Sequence, residues 1–203
     1  MKRHDTHNMT RGAAALTAVA LLAGCAGLGR GDKPEPTQAE SAAPAVALPA
    51  EDRTAFDEAV AALRAGDNET AESRFAALAQ RHPELAEAHA NRGLAALRAG
   101  DDETAREAMA RAVELEPDNA AWQNRLGVLL RRAGEFERAE AAYEAALDAD
   151  GDYPPAHLNL GILYDIYLQR PQEALSHYQQ YQTLAGQPDD EVALWIADLE
   201  RRL

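Results

Sequence analysis

Residues 63–71 read LRAGDNETA and residues 97–105 read LRAGDDETA, one mismatch in nine at a separation of 34. A third copy, Leu130 to Ala139, keeps Ala133-Gly134-Glu135 and Ala139 a further 34 residues on. The same interval relates Ala71, Ala105 and Ala139; Phe75, Met109 and Tyr143; Pro83 and Pro117; and Gly93, Gly127 and Gly161. A chain that copies itself at this interval stacks one supersecondary unit in a row, because a unit so small cannot cover its own apolar face. Helix formers dominate, aromatics make up only 5% of the chain and β-branched runs are almost absent, so the unit is helical and the chain all-α.

The repeat explains itself residue by residue. Gly66, Gly100 and Gly134 stand where a first helix ends and a positive φ is useful. The acidic residues that follow suit the start of a second helix, capping free N–H groups and complementing its dipole. Gly93, Gly127 and Gly161, with Ala71, Ala105 and Ala139, permit close approach of paired backbones, while Phe75, Met109 and Tyr143 fill the space between units. Pro83 and Pro117 stop the second helix and turn the chain.

Small residues at the Gly93 and Ala105 positions, a large one at the Met109 position and a closing proline together resemble the tetratricopeptide repeat. That resemblance implies a right-handed superhelical solenoid of helical hairpins over residues 51–188, with repeats at about 52–85, 86–119, 120–153 and 154–188. The first has Ala59 where the others have glycine. The fourth carries an extra residue between Gly161 and Ala174, and its inter-helix turn reads Arg170-Pro171 rather than Gly-Asp. In residues 189–203, Val192, Trp195, Ile196, Leu199 and Leu203 follow helical spacing and predict a C-terminal capping helix. Packing accounts for most of the tyrosines gathered in this half: Tyr164, Tyr167, Tyr178 and Tyr181.

Tetratricopeptide repeats hold partners on a concave surface lined by the first helix of each unit. By resemblance the groove positions here are Phe56 and Val60, then Asn91, Leu94 and Arg98, then Asn124, Arg125, Val128, Arg131 and Arg132, and finally Asn159 and Ile162. Asparagine amides bond a peptide backbone in both senses and guanidinium groups fork onto carboxylates. An arginine-lined groove on an acidic body favours an acidic segment or a free C-terminus; the alternative is that these side chains are simply solvated. Of the five residues in the two-carboxylate clamp of some family members, only Asn91 and Arg125 match; Phe56, Val60 and Ala121 stand at the others.

No catalytic arrangement is legible. Ser41, Ser73 and Ser176 lie outside any nucleophile-elbow setting, and neither a zinc-protease helix motif nor a phosphate loop occurs. His89 and His157 share one repeat position without a third ligand, which favours packing over metal binding. The chain is therefore expected to be no enzyme and to need no cofactor, metal or small-molecule substrate. A formal charge of −14 argues against nucleic acid as a partner.

The first 50 residues read differently. Lys2, Arg3 and Arg11 precede an apolar run, Ala13 to Gly24, that would rise about 18 Å as a helix, short of the ~30 Å hydrocarbon core. Residues 1–24 thus predict an export signal. Leu22-Ala23-Gly24-Cys25 resembles the lipobox of bacterial lipoproteins, which implies that Cys25, the single cysteine, receives a diacylglyceryl group and becomes the acylated N-terminus. Ala26 follows it in place of the aspartate associated with inner-membrane retention, so outer-membrane attachment facing the periplasm is expected. The Gly/Pro/Ala-rich stretch completing residues 25–50 reads as a flexible linker, spanning roughly 25–30 Å.

These readings predict a membrane-anchored periplasmic adaptor for envelope proteins or peptides. Three lipoprotein families with similar repeats are candidates: pilotin-like factors of pilus secretins, tethers of peptidoglycan hydrolases, and companions of TonB-type energisers (ExbB/ExbD-like). The segments Gly161-Ile162-Leu163-Tyr164-Asp165 and Trp195-Ile196-Ala197-Asp198-Leu199 look most like the third. The contrasting expectation is a structural envelope protein that self-associates without a specific peptide ligand.

Overall fold

The computed structural model describes residues 47–203, and all of its regular structure is helical. The helices are α1 (Ala50–Arg64), α2 (Asn68–Arg81), α3 (Ala86–Ala99), α4 (Asp102–Leu115), α5 (Ala120–Arg132), α6 (Phe136–Ala149), α7 (Pro154–Ile162), α8 (Pro171–Leu184) and α9 (Asp190–Arg202). A π-helical turn, Leu163–Tyr167, extends α7. Export signal, Cys25 and most of the linker fall outside the described residues.

Each helix packs chiefly against the next in sequence, giving hairpins α1/α2, α3/α4, α5/α6 and α7/α8, with α9 laid on α8. Contact between neighbours only is the mark of a solenoid. The core forms two clusters that meet in α3. Leu94 and Ala95 join Phe56, Leu63, Phe75 and Leu78 on the N-terminal side, while Ala90 and Ala96 join Met109, Leu126, Tyr143 and Tyr178 beyond.

The turns within the first three hairpins follow the pattern read from the sequence. Gly66, Gly100 and Gly134 adopt φ of 80°, 85° and 77°, a region where a Cβ is strained. Asp67 and Asp101 then cap α2 and α4, accepting from the amides of Thr70 and Thr104. Glu135 departs from this expectation. It makes no cap bond, and its longer side chain instead pairs with Arg106 of α4 at 2.9 Å and with Arg138.

Close approach is also as expected. A Cβ on Gly161 would stand 2.5 Å from the ring of Tyr178, and one on Gly127 would overlap the ring of Tyr143. Both rings are fully buried.

The fourth hairpin shows where its extra residue goes. The amide of Leu168 donates to the carbonyl of Leu163 at 3.0 Å, a bond spanning five residues, so one π turn absorbs the insertion. Counted past that insertion, Gln169 takes the place of the turn glycines, with φ of 54°. Arg170 is the N-cap of α8 and Pro171 its first residue. The left-handed position of this turn is thus Gln169, one residue before the Arg170-Pro171 pair singled out in the sequence.

In α9, Asp189 caps the first turn, bonding the amides of Glu191 and Val192. Val192, Trp195 and Leu199 are buried, and Trp195 packs against Tyr178 with ring centres 5.4 Å apart and planes tilted by 53°. Ile196 is half-buried and Leu203 exposed, so the capping face is narrower than the full periodic set.

Candidate functional site

Helices α1, α3, α5 and α7 carry the expected groove residues. On α5, Ala121, Arg125, Val128 and Arg132 recur at i, i+4, i+7 and i+11, a single stripe. The first three are half-buried and Arg132 is exposed, so this stripe has surface to offer.

The neighbouring face of α5 is closed. Asn124 is 0% exposed and its Oδ1 accepts from Nδ2 of Asn159 on α7 at 3.0 Å. Arg131 is 5% exposed; its Nε donates to the Tyr143 hydroxyl at 3.4 Å and its guanidinium lies 5.8 Å from the centre of the Tyr167 ring. Tyr167 in turn packs on Phe136 at 4.7 Å. Asn124, Asn159 and Arg131 therefore knit the α5 and α7 hairpins together.

Other expected groove residues divide the same way. Asn91, Leu94, Phe56 and Val60 are buried, and Phe56 meets Phe75 edge to face at 5.5 Å. Ile162, expected to line the groove, is 1% exposed and belongs to the core. Arg98 is exposed, and its Nη1 reaches back to the carbonyl of Leu63 at 3.4 Å. Arg132 pairs with Asp102 at 2.9 Å. Arginines that the sequence offered to an acidic ligand thus already bond within the chain. Because Asn91, Phe56 and Val60 are buried, the clamp comparison adds only half-buried Arg125 to the accessible stripe.

The structure gives the shared His89/His157 position a role that sequence reasoning missed. Nε2 of His89 faces the carbonyl of Pro83 at 3.2 Å, and Nε2 of His157 faces that of Gly151 at 3.2 Å. Between them in the series, Gln123 donates to the carbonyl of Pro117 at 3.0 Å. A carbonyl only accepts, so each imidazole carries its hydrogen on Nε2. The three side chains clasp the turns between repeats, and burial holds His89 below the usual histidine range. The signal was present in the 34-residue spacing of His89, Gln123 and His157, together with a polar group reaching back six residues each time.

Among the described residues no group of three or more His, Cys, Asp or Glu could hold a metal ion, and no helix is long and apolar enough to cross a membrane.

The tetratricopeptide-repeat family profile matches residues 56–120, 103–154 and 124–191. The chain belongs to the tetratricopeptide-repeat family. Its fold is similar to that of MamA (residues 41 to the end) from Desulfovibrio magneticus RS-1, with a TM-score of 0.69 at 19% identity over 77% of this chain and 87% of that one. PilF of Pseudomonas aeruginosa gives 0.64 at 23% identity over 74% and 68%, and the tetratricopeptide domain of Arabidopsis OM64 gives 0.54 at 20% over 58% and 96%. At these identities the likeness concerns the fold alone. No curated protein matches in sequence. Tetratricopeptide repeats are scaffolds for protein–protein interaction, binding peptides or proteins through the repeat surface, and this chain is built as one.

Proposed function

We propose that this protein is a lipid-anchored, non-catalytic adaptor of the bacterial envelope, which takes a segment of another envelope protein along the first-helix face of its repeats. The accessible stripe Ala121, Arg125, Val128 and Arg132 carries the reading, because it joins apolar and cationic groups on a rigid helix held by neighbours on both sides. Asn91, Asn124, Arg131 and Asn159 set the spacing of the helices beneath it.

A double substitution, Arg125→Glu with Val128→Asp, is expected to abolish recovery of partner proteins from solubilised membranes while leaving the helical circular-dichroism signal unchanged. Recovery of the same proteins by both forms would refute the groove. The partner belongs to a pilus-secretin, peptidoglycan-hydrolase or TonB-type machine; the end of the chain supports the last of these.

Anchoring rests on the Leu22-Ala23-Gly24-Cys25 sequence, with attachment to the outer membrane and the repeats facing the periplasm. Globomycin, which blocks lipoprotein signal cleavage, is expected to make unprocessed precursor accumulate in cells expressing the protein. A Cys25→Ser form should be insensitive to the drug and lose membrane fractionation. Normal processing of the unaltered protein under globomycin would rule out lipidation.

A further inference from the structure

The last hairpin holds two histidines face to face. His157 of α7 and His177 of α8 approach through their Nδ1 atoms at 3.0 Å, with ring centres 5.2 Å apart. Because His157 gives its Nε2 hydrogen to the Gly151 carbonyl, its neutral ring has only a lone pair at Nδ1, and His177 must donate the hydrogen between them. One added proton can enter the pair with a single hydrogen kept between the two Nδ1 atoms and the charge on either ring. A second has no place, since both Nδ1 atoms would then carry hydrogens and two cations would face each other at contact distance.

The surroundings relieve this only in part: the Glu173 carboxylate favours a charged His177, but burial and the neighbouring cations outweigh it. Tyr164 of the π turn lies 5.5 Å from the His177 ring, and its hydroxyl donates to Glu140 of α6 at 2.8 Å. Arg170, before α8, bonds the same Glu140 oxygen at 2.6 Å, bonds Glu173 at 3.0 Å and covers the Tyr164 ring at 4.3 Å. Glu140 and Glu173 thus both serve Arg170, a further cation beside the pair, and Glu144 of α6 acts on Tyr164. Burial first, then the charges of His157 and Arg170, push His177 down to about 4.

We propose that the His157–His177 pair is an acid-sensitive latch, which fastens α7 to α8 at neutral pH and releases the last hairpin, and α9 with it, on acidification. The sign follows from linkage. In the unfolded chain a histidine takes up its proton near pH ~6.5, whereas folded His177 resists until about 4. The stabilisation is therefore complete above the first value and is lost as pH falls toward the second. End units of a solenoid open by themselves, so the loss stays local. At the other end, His82 and Arg81 both bond the carboxylate of Asp52, each at 2.8 Å.

Hydrogen exchange read by mass spectrometry, corrected for intrinsic rates, tests this on the unaltered protein. Between pH 7.5 and 5, amides of α7, α8 and α9 should lose about tenfold in protection, and those of α3 and α4 should not. The pair His157→Gln with His177→Gln keeps the clasp on Gly151, as Gln123 keeps the one on Pro117, and should hold its protection constant. In NMR titration of the unaltered protein, His177 should have a midpoint below pH ~5. A midpoint at the ordinary histidine value, or equal pH response in the two forms, overturns the latch.

Discussion

Trp195→Ala is expected to lower stability by about 3–5 kcal/mol and to loosen the C-terminal third of the molecule. Trp195 is the largest fully buried side chain of α9, and its ring packs against Tyr178. With Val192 and Leu199 it forms the only buried face of that helix. Without the indole, α9 keeps too little apolar surface to order thirteen residues, and the outer side of α8 meets water. Urea unfolding followed by circular dichroism measures the loss. A change below about 1 kcal/mol would show that α9 does not close the stack.

Gly127→Ala should be the next most damaging, by about 2–3 kcal/mol net of alanine's better helix preference. The new methyl group falls on the Tyr143 ring, which is sealed by its neighbours and bonded through its hydroxyl to Arg131. Ring and guanidinium would have to move together, opening the seam between α5 and α7. Gly134→Ala, in the exposed turn seven residues on, supplies the comparison. It meets no atom within 4 Å, so its cost is the left-handed backbone alone, about 1 kcal/mol. The two thermal midpoints should fall in that order; the reverse order would mean that Tyr143 has room to yield.

The contrast between these glycines shows what the sequence could reveal. The turn glycines and Gly127 impose backbone demands that recur with each unit, so their spacing alone exposes them. The fate of Asn124, Asn159 and Arg131 depends on how far one hairpin swings against the next, a property of the coiled stack that no single repeat carries. Hence they are legible as groove-side polar residues but not as the cement between hairpins. The insertion in the fourth repeat is plain in the spacing, yet its absorption by a π turn, with Gln169 in the glycine's backbone region, depends on how α7 and α8 pack and not on any local signal. Glu135 differs from Asp67 and Asp101 by one methylene. That is enough to exchange a cap for ion pairs with Arg106 and Arg138.

The division of the core within α3 has a mechanical consequence. The hairpin α1/α2 is fastened to the rest chiefly through α3 and the residue before it, with Leu85, Ala88, Leu94 and Ala95 supplying the apolar grip and Arg92 and Arg98 bonding Glu72 and the Leu63 carbonyl. A pull applied at the N-terminal end would load this first hairpin before any other, and the remainder could stay folded while it gave way. Each hairpin shed in turn would release 34 residues of slack, roughly 110 Å of extended chain. The array would then yield to load in steps, like stitching that gives one loop at a time.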